Sequence, residues 1–171
     1  MPDPCTYDYA VVRVVPHVER GEFVNAGVIV SCSARGFLQA RIELDEARVL
    51  ALDPTLDLES LRLALAAIPV ICAGGAPAGP LGALAARKRF DWLVAPRSAS
   101  IQTSAVHVGR CTDLEAALEH LVARMVRRPA ARRAPVPVEP DEASVAGEED
   151  PGASWDIDEM PLAPPPGAAA R

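Results

Sequence analysis

Three stretches within the first 44 residues alternate apolar and polar side chains with a period of two, as β-strands do. They cover residues 7–15, 25–32 and 37–44. Ser33-Ala34-Arg35-Gly36 lies between the second and third stretches, and its glycine suits a tight turn. The pattern predicts a β-hairpin preceded by a further strand, with a loop over residues 17–24 joining the first two strands.

The chain then changes to helical periodicity. Asp57 and Thr112 are suited to cap helices, and Pro69 predicts the end of the first of these. Residues 101–108 alternate again and predict a fourth strand. Apolar stripes with helical spacing cover residues 57–69, 80–89 and 112–126. We therefore predict an α+β fold, a small and mostly antiparallel sheet of about four strands with three or so helices packed on one face.

The periodic pattern ends at Pro129. Nine of the 17 prolines lie in the last 43 residues, and apolar residues there are too sparse to form a core. We therefore predict a single domain over residues 1–128 and a disordered, Pro-rich acidic tail over 129–171. Acidic and apolar residues interleave in the tail, which favours either docking to a partner or a solubilising role. The candidate docking residues are Trp155, Ile157, Met160 and Leu162.

Charge also separates the domain from the tail. The net charge is −6, and residues 1–128 carry 14 basic and 14 acidic side chains, so the tail supplies the whole excess. A neutral domain lacks the basic surface that displaces counterions from phosphates, which argues against nucleic-acid binding. No apolar run reaches the roughly 18 residues that span a bilayer, and no secretory signal is evident. These features predict a cytoplasmic protein without a membrane partner.

The sequence offers little support for metal or thiol chemistry. The three histidines, at positions 17, 107 and 120, form no ligand-spaced pair, so we predict neither a metal nor another cofactor. The four cysteines form no C-x-x-C pair and are predicted to be free thiols. Catalysis by Cys111 needs a thiolate held near an imidazole, which the nearby His107 does not ensure. An enzyme is therefore not the favoured class.

The most distinctive polar residues flank the first loop. Arg13 lies near the end of the first strand, Glu22 lies in the loop, and Asn25 opens the second strand, where strand parity places it with Gly27. If the two strands pair, Arg13 and Asn25 share a sheet face and can hold an anionic ligand, with Glu22 at the rim. The structural alternative is that Arg13 pairs with Glu22, Asn25 bonds backbone in the turn, and Gly27 permits close packing.

A second polar cluster precedes the fourth strand. Arg97 and Ser98 lie there with Ser100, Gln102 and Ser104, and they can bind a phosphate or a carboxylate. A loop that leads into a strand has the same composition, so both interpretations stay open. The candidate binding residues are Arg13, Glu22, Asn25, Arg97 and Ser98.

Two motifs carry a family resemblance. The first consists of Tyr9, Arg13 and Pro16, followed by Arg20-Gly21-Glu22 and Asn25-x-Gly27-Val28-Ile29. The second consists of residues 89–98 together with residues 101–104. On the basis of these motifs, the segment from about residue 7 to residue 128 resembles a bacterial domain-of-unknown-function family numbered 3037. The resemblance implies no activity, but it implies a gene setting beside a HipA-like kinase and hence an accessory role.

The favoured hypothesis is an uncharacterised bacterial accessory module that binds without catalysis and has a HipA-like kinase as its partner. The alternative is an enzyme acting on a small anionic substrate. In that case Glu22 is the acid or base, and Arg13 and Arg97 clamp the anion. The sequence indicates no oligomeric state.

Overall fold

The computed structural model describes residues 3–129. The predicted tail lies outside the described residues apart from Pro129, and so do its candidate docking residues. Within the described range the chain forms five β-strands and four α-helices. The strands are β1 (Cys5–Val14), β2 (Val24–Cys32), β3 (Phe37–Ile42), β4 (Ile101–Thr103) and β5 (His107–Cys111). The helices are α1 (Glu46–Leu52), α2 (Leu58–Ala73), α3 (Ala86–Val94) and α4 (Leu114–Met125).

All five strands belong to one antiparallel sheet in the order β3-β2-β1-β4, and β5 also pairs with β1. β4 pairs with the C-terminal end of β1, and β5 pairs with its N-terminal half. Residues 104–106 separate these two strands, so the predicted fourth strand is two short ones. At the break, the buried Ser104 hydroxyl accepts a hydrogen bond from the backbone N–H of Val11 at 3.0 Å. The α+β class and the antiparallel sheet are confirmed.

The helices cover both faces of this sheet, so the prediction that they all lie on one face is wrong. α2 and α3 pack on one face, where the core includes Val12, Val14 and Ile29. α4 packs on the other face, against Val28 and Val30. The reason lies in β2, which is apolar on both sides; such strands are typical of a sheet that is covered twice.

Three helix predictions need correction. α2 continues through Pro69 to Ala73, because burial of Ile71 and other apolar side chains after the proline offsets the roughly 3 kcal/mol that an interior proline costs. Two short 3-10 turns over Ala76–Ala83, joined at Gly79, take the place of the start of the helix predicted over residues 80–89. α4 is capped by Asp113 rather than Thr112, since the Asp113 carboxylate accepts two backbone N–H groups of the first turn. The sequence pattern did not predict α1.

A bulge in β2 decides which side chains reach each face. Val12 lies opposite Gly27 and Arg13 lies opposite Asn25, so Ala26 is an extra residue in β2. Because neighbouring residues of β1 point to opposite faces, Asn25 and Gly27 do so as well. The prediction that Asn25 and Gly27 lie on the same face was therefore wrong, because it assumed that side chains alternate between the two faces along the whole of β2 without a bulge.

Gly27 itself is required by close packing, as the structural alternative predicted. A Cβ atom at this position would lie 2.6 Å from the carbonyl oxygen of Arg41 and 2.5 Å from the Cδ1 of Ile42. The first of these neighbours is backbone of β3 and cannot rotate away. A side chain here would therefore push β3 off β2 at the bulge.

Ion pairs fix the end of α4 to the rest of the domain. Arg127 bonds both Glu43 and Glu119, and Arg128 bonds the carboxylate of Asp45 with its Nη2 2.8 Å from Oδ1. Asp45 also caps α1 through the backbone N–H of Arg48. The last described residues are thus tied to the N-terminus of α1.

The helical stripe of α2 yields a matched pair of stability predictions. We expect Leu65→Ala to lower the free energy of unfolding by about 2–5 kcal/mol, because Leu65 is 2% exposed and its loss leaves a cavity. Leu63→Ala, in the same helix but 69% exposed, should change it by less than about 0.5 kcal/mol. Urea unfolding followed by circular dichroism checks both; similar losses for the two variants would contradict the observed orientation of α2.

The Asp45 pair yields a pH prediction. Hydrogen bonds from Arg128 first, and then from the Arg48 backbone, lower the pKa of Asp45 from 3.8 to about 2. The stabilisation is therefore complete above pH 3.8 and is lost as the pH falls through about 2. In Arg128→Gln we expect the pKa of Asp45 to rise towards 3.8, measured by NMR titration of its side-chain carboxyl carbon. An unchanged titration would show that Arg128 does not hold this carboxylate.

Candidate functional site

An open groove of about 530 Å³ lies at the C-terminal end of β1. The loop over residues 16–23 forms one wall, and the segment after α3 together with β4 forms the other. Three of the sequence-predicted binding residues line it, namely Arg13, Arg97 and Ser98. Glu22 and Asn25 are not among its lining residues. The structure therefore brings the two arginines together from positions 84 residues apart in the chain.

The strand register places Arg13 in a polar row across the sheet. Arg13 lies opposite Asn25 in β2 and opposite Gln102 in β4. Side chains of directly paired residues project to the same face, so all three project to the face that α4 covers. The prediction that Arg13 and Asn25 share a face is confirmed. The two residues share it because the bulge in β2 places Asn25, rather than Ala26, opposite Arg13.

Arg13 is held by an aromatic ring rather than by an acid. Its guanidinium carbon lies 4.3 Å from the ring centroid of Phe23, which is a cation–π distance. Its Nε is buried without a hydrogen-bond partner, and within residues 3–129 no carboxylate lies within 4 Å of the group. The positive charge is therefore positioned and partly desolvated, but not neutralised by the described domain.

Arg97 is held in a similar way at the end of α3. Its Nη2 donates a hydrogen bond to the carbonyl oxygen of Trp92 at 2.6 Å, and its guanidinium carbon lies 4.7 Å from the Trp92 ring centroid. The unpaired carbonyls at a helix C-terminus attract cations, which explains this placement. Arg97 also forms no ion pair within the described residues, so a second uncompensated cation faces the groove.

Glu22 is engaged elsewhere. Its carboxylate accepts two hydrogen bonds from Arg20, at 2.9 and 3.1 Å, on the exposed side of the loop. These bonds from Arg20 lower the pKa of Glu22, so it is ionised at neutral pH. The ion pair between Arg13 and Glu22 that the structural alternative predicted is absent from residues 3–129.

Asn25 supports the fold beside the groove. Its Nδ2 donates a hydrogen bond to the carbonyl oxygen of Met125 at 2.8 Å. Met125 is the last residue of α4, so the amide satisfies one of the carbonyls that a helix end leaves unpaired. The predicted bond to backbone is therefore present, but it reaches α4 rather than the turn.

The cysteines and histidines form no activated pair within residues 3–129. His107 stacks on Tyr9 with ring centroids 5.2 Å apart, and Cys111 lies opposite Cys5 across β1 and β5. Burial and a hydrogen bond with Cys5 raise the pKa of the Cys111 thiol, which opposes thiolate formation. All four cysteines are free, and the described part of the chain contains no group of three side chains able to hold a metal ion.

Sequence reasoning missed two residues that shape the groove, namely Phe23, which lines it, and Trp92, which carries the Arg97 guanidinium. Phe23 is an aromatic residue in a mostly polar loop, and its unusual position could have indicated a role at the site. Trp92 precedes Arg97 by five residues at the end of a helix, and this spacing was a second usable signal. Gln102 was named in the second polar cluster, but its alignment with Arg13 had no sequence signal, because it depends on the register of β4.

Comparison with known proteins gives the family and nothing finer. A family model described as "Protein of unknown function (DUF3037)" matches residues 9–126. The chain belongs to this family, as the sequence motifs indicated. No curated protein and no solved structure matches the chain.

The described helices give no clear membrane span. No single helix within residues 3–129 is long and apolar enough to cross a bilayer. One bent pair, Leu58–Ala73 with Ala76–Ala83, meets the requirement by length and composition only. Bacterial origin, cytoplasmic localisation and the accessory role stay predictions.

The role of Asn25 can be tested directly. We expect Asn25→Ala to lower the free energy of unfolding by about 1–2 kcal/mol, because the α4 carbonyl loses its donor in a partly buried place. Ser98→Ala, at an exposed lining position, serves as the control and should change it by less than about 0.5 kcal/mol. Urea unfolding measures both. Equal stability of Asn25→Ala and wild type would remove the structural role and leave Asn25 free for a ligand.

Proposed function

We propose that the domain is a non-catalytic binding module that holds an anionic group, a phosphate or a carboxylate, in the groove between Arg13 and Arg97. One observation carries this proposal. Two arginines with no carboxylate partner among residues 3–129 line one concave surface, and each is held against an aromatic ring. The planar guanidinium presents several N–H donors in a fork that matches the oxygens of phosphates and carboxylates.

The contrast with other arginines of the domain supports this choice. Arg62, Arg127 and Arg128 each form hydrogen-bonded pairs with carboxylates, so their charges are used within the fold. Arg13 and Arg97 are not used in this way. The Nε of Arg13 is buried without a hydrogen-bond partner, whereas Arg97 is exposed. A partly desolvated charge without a counter-charge, as at Arg13, is unfavourable for folding alone, which favours a role in binding a ligand.

Binding without catalysis is favoured over the enzyme hypothesis. The alternative assigned acid–base catalysis to Glu22, but Glu22 does not line the groove and is held as a carboxylate by Arg20. A general acid needs a raised pKa, whereas the pKa of Glu22 is lowered. The groove lining contains no aspartate, glutamate, histidine or cysteine within residues 3–129 to replace it.

Inorganic phosphate is the simplest probe of the groove. At low ionic strength we expect phosphate to shift the side-chain Nε–Hε NMR signals of Arg13 and Arg97. Arg13→Gln and Arg97→Gln should each weaken phosphate binding by a factor of about ten or more, since a hydrogen bond to a charged group contributes about 1.5–3 kcal/mol. The dissociation constants come from the same titration.

Matched controls separate the groove from general electrostatics. Arg110→Gln removes one positive charge at an exposed position in β5 and should leave phosphate binding within about twofold of wild type, because Arg110 does not line the groove and a distant charge contributes little in water. Glu22→Gln should do the same, whereas the enzyme hypothesis requires Glu22 near the bound anion. Equal weakening by Arg110→Gln and Arg13→Gln would contradict a specific site.

A HipA-like kinase remains the proposed protein partner, on the family resemblance alone. Purification of the tagged full chain from its native host should recover such a kinase if the pairing is right. A parallel purification of Arg13→Gln shows whether the groove takes part in it. Recovery of no kinase with either protein would contradict the partnership but not anion binding.

A further inference from the structure

A second cavity adjoins the groove on the opposite side of β4. It has a volume of about 330 Å³ and lies between α2, α3 and the edge of the sheet. Its walls are mostly apolar, formed by Ile68, Ile71, Trp92, Leu93 and Ile101. This volume falls in the range of about 300–1,000 Å³ that is usual for small-molecule pockets.

Two residues form walls of both cavities. Arg97 and Gln102 line the groove and also line this apolar cavity. Trp92 lines the apolar cavity, and its ring carries the Arg97 guanidinium at 4.7 Å. The cation at the groove therefore lies at the mouth of an apolar chamber.

We infer that the ligand is amphiphilic, with an anionic head on Arg13 and Arg97 and an apolar chain in the cavity beside Trp92. This inference rests on the proposed anion binding and adds the chemical class of the ligand. A small inorganic anion uses only the groove and leaves the apolar walls in contact with water. An apolar chain attached to the head removes those walls from water, which favours binding in proportion to the area buried.

The lining of α2 is consistent with a chain of modest width. Ala64 and Ala67 are exposed α2 residues that line the cavity, and both are small. Replacing either with a large side chain fills the chamber without touching the groove. Ala66 lies on the same helix, is exposed and does not line the cavity, so it offers a matched control.

The experiment is a chain-length series with a single fluorescent reporter. The full chain carries Trp155→Phe, which leaves Trp92 as its only tryptophan. Alkanoates from acetate to octanoate are titrated below the concentrations at which they form micelles, and the Trp92 emission is followed. We expect affinity to rise roughly two- to fourfold for each methylene until the cavity is filled. Octanol, which has the chain but no charge, should bind far more weakly than octanoate.

Variants locate the two parts of the ligand. In Ala67→Phe the gain with chain length should disappear while acetate and phosphate binding persist. In Ala66→Phe the gain should be that of wild type. In Arg97→Gln octanoate binding should fall about tenfold, because the head loses a charged donor. Alkyl phosphates of equal chain length show whether the site prefers a phosphate or a carboxylate head.

The possible outcomes separate the amphiphilic ligand from anion binding. A chain-length gain that Ala67→Phe removes and Ala66→Phe retains supports the inference. Equal binding of acetate and octanoate overturns the inference and leaves the anion site standing. Equal binding of octanol and octanoate, unaffected by Arg97→Gln, contradicts the anionic head and with it the proposed function. Absence of binding by every probe, phosphate included, contradicts both.

Discussion

The bulge between β1 and β2 determines which side chains each face of the sheet receives. Ala26 is the extra residue, and it lies between the partners of Val12 and Arg13. As a result, Val24 and Ala26 pack against the core under α2 and α3, whereas the Asn25 side chain points to α4. Without the extra residue, Asn25 would point into an apolar core and the last carbonyl of α4 would lose its donor. The polar row through Arg13 and the two-sided core therefore depend on one inserted residue and on the glycine beside it, where β3 comes close.

The groove shows how a small domain can hold charge without neutralising it. An arginine that forms a salt bridge is fixed but has little left for a ligand. An arginine placed over an aromatic ring is fixed as well, through a weaker attraction that leaves its N–H donors free. Phe23 acts in this way for Arg13. Trp92 does so for Arg97, whose Nη2 in addition donates a hydrogen bond to the Trp92 carbonyl oxygen, and both rings are partly exposed. Such a site is ordered before a ligand arrives, which lowers the entropic cost of binding.

Local sequence signals predicted much of this architecture. The alternation in β1, β2 and β3 and the stripes of α2 and α4 were correct because each depends on neighbours along the chain. The errors arose where distant contacts decide the outcome. Burial carried α2 through Pro69, and the second covered face was not foreseen, because periodicity does not tell which face of a sheet a helix will meet. In the site, Arg13, Arg97 and Ser98 were recognisable by residue type. The alignment of Gln102 with Arg13 follows from strand register, and the exclusion of Glu22 follows from a loop ion pair.

The break between β4 and β5 has a consequence for the behaviour of the protein at high concentration. An unpaired strand edge is a template for pairing with another chain, and long flat edges promote aggregation. Here the edge beyond β1 is divided into strands of three and five residues, and the Ser104 hydroxyl replaces a ladder partner at the break. No long run of unpaired backbone is therefore offered on that side of the described sheet. The break thus hinders neighbouring molecules from extending the sheet on that side.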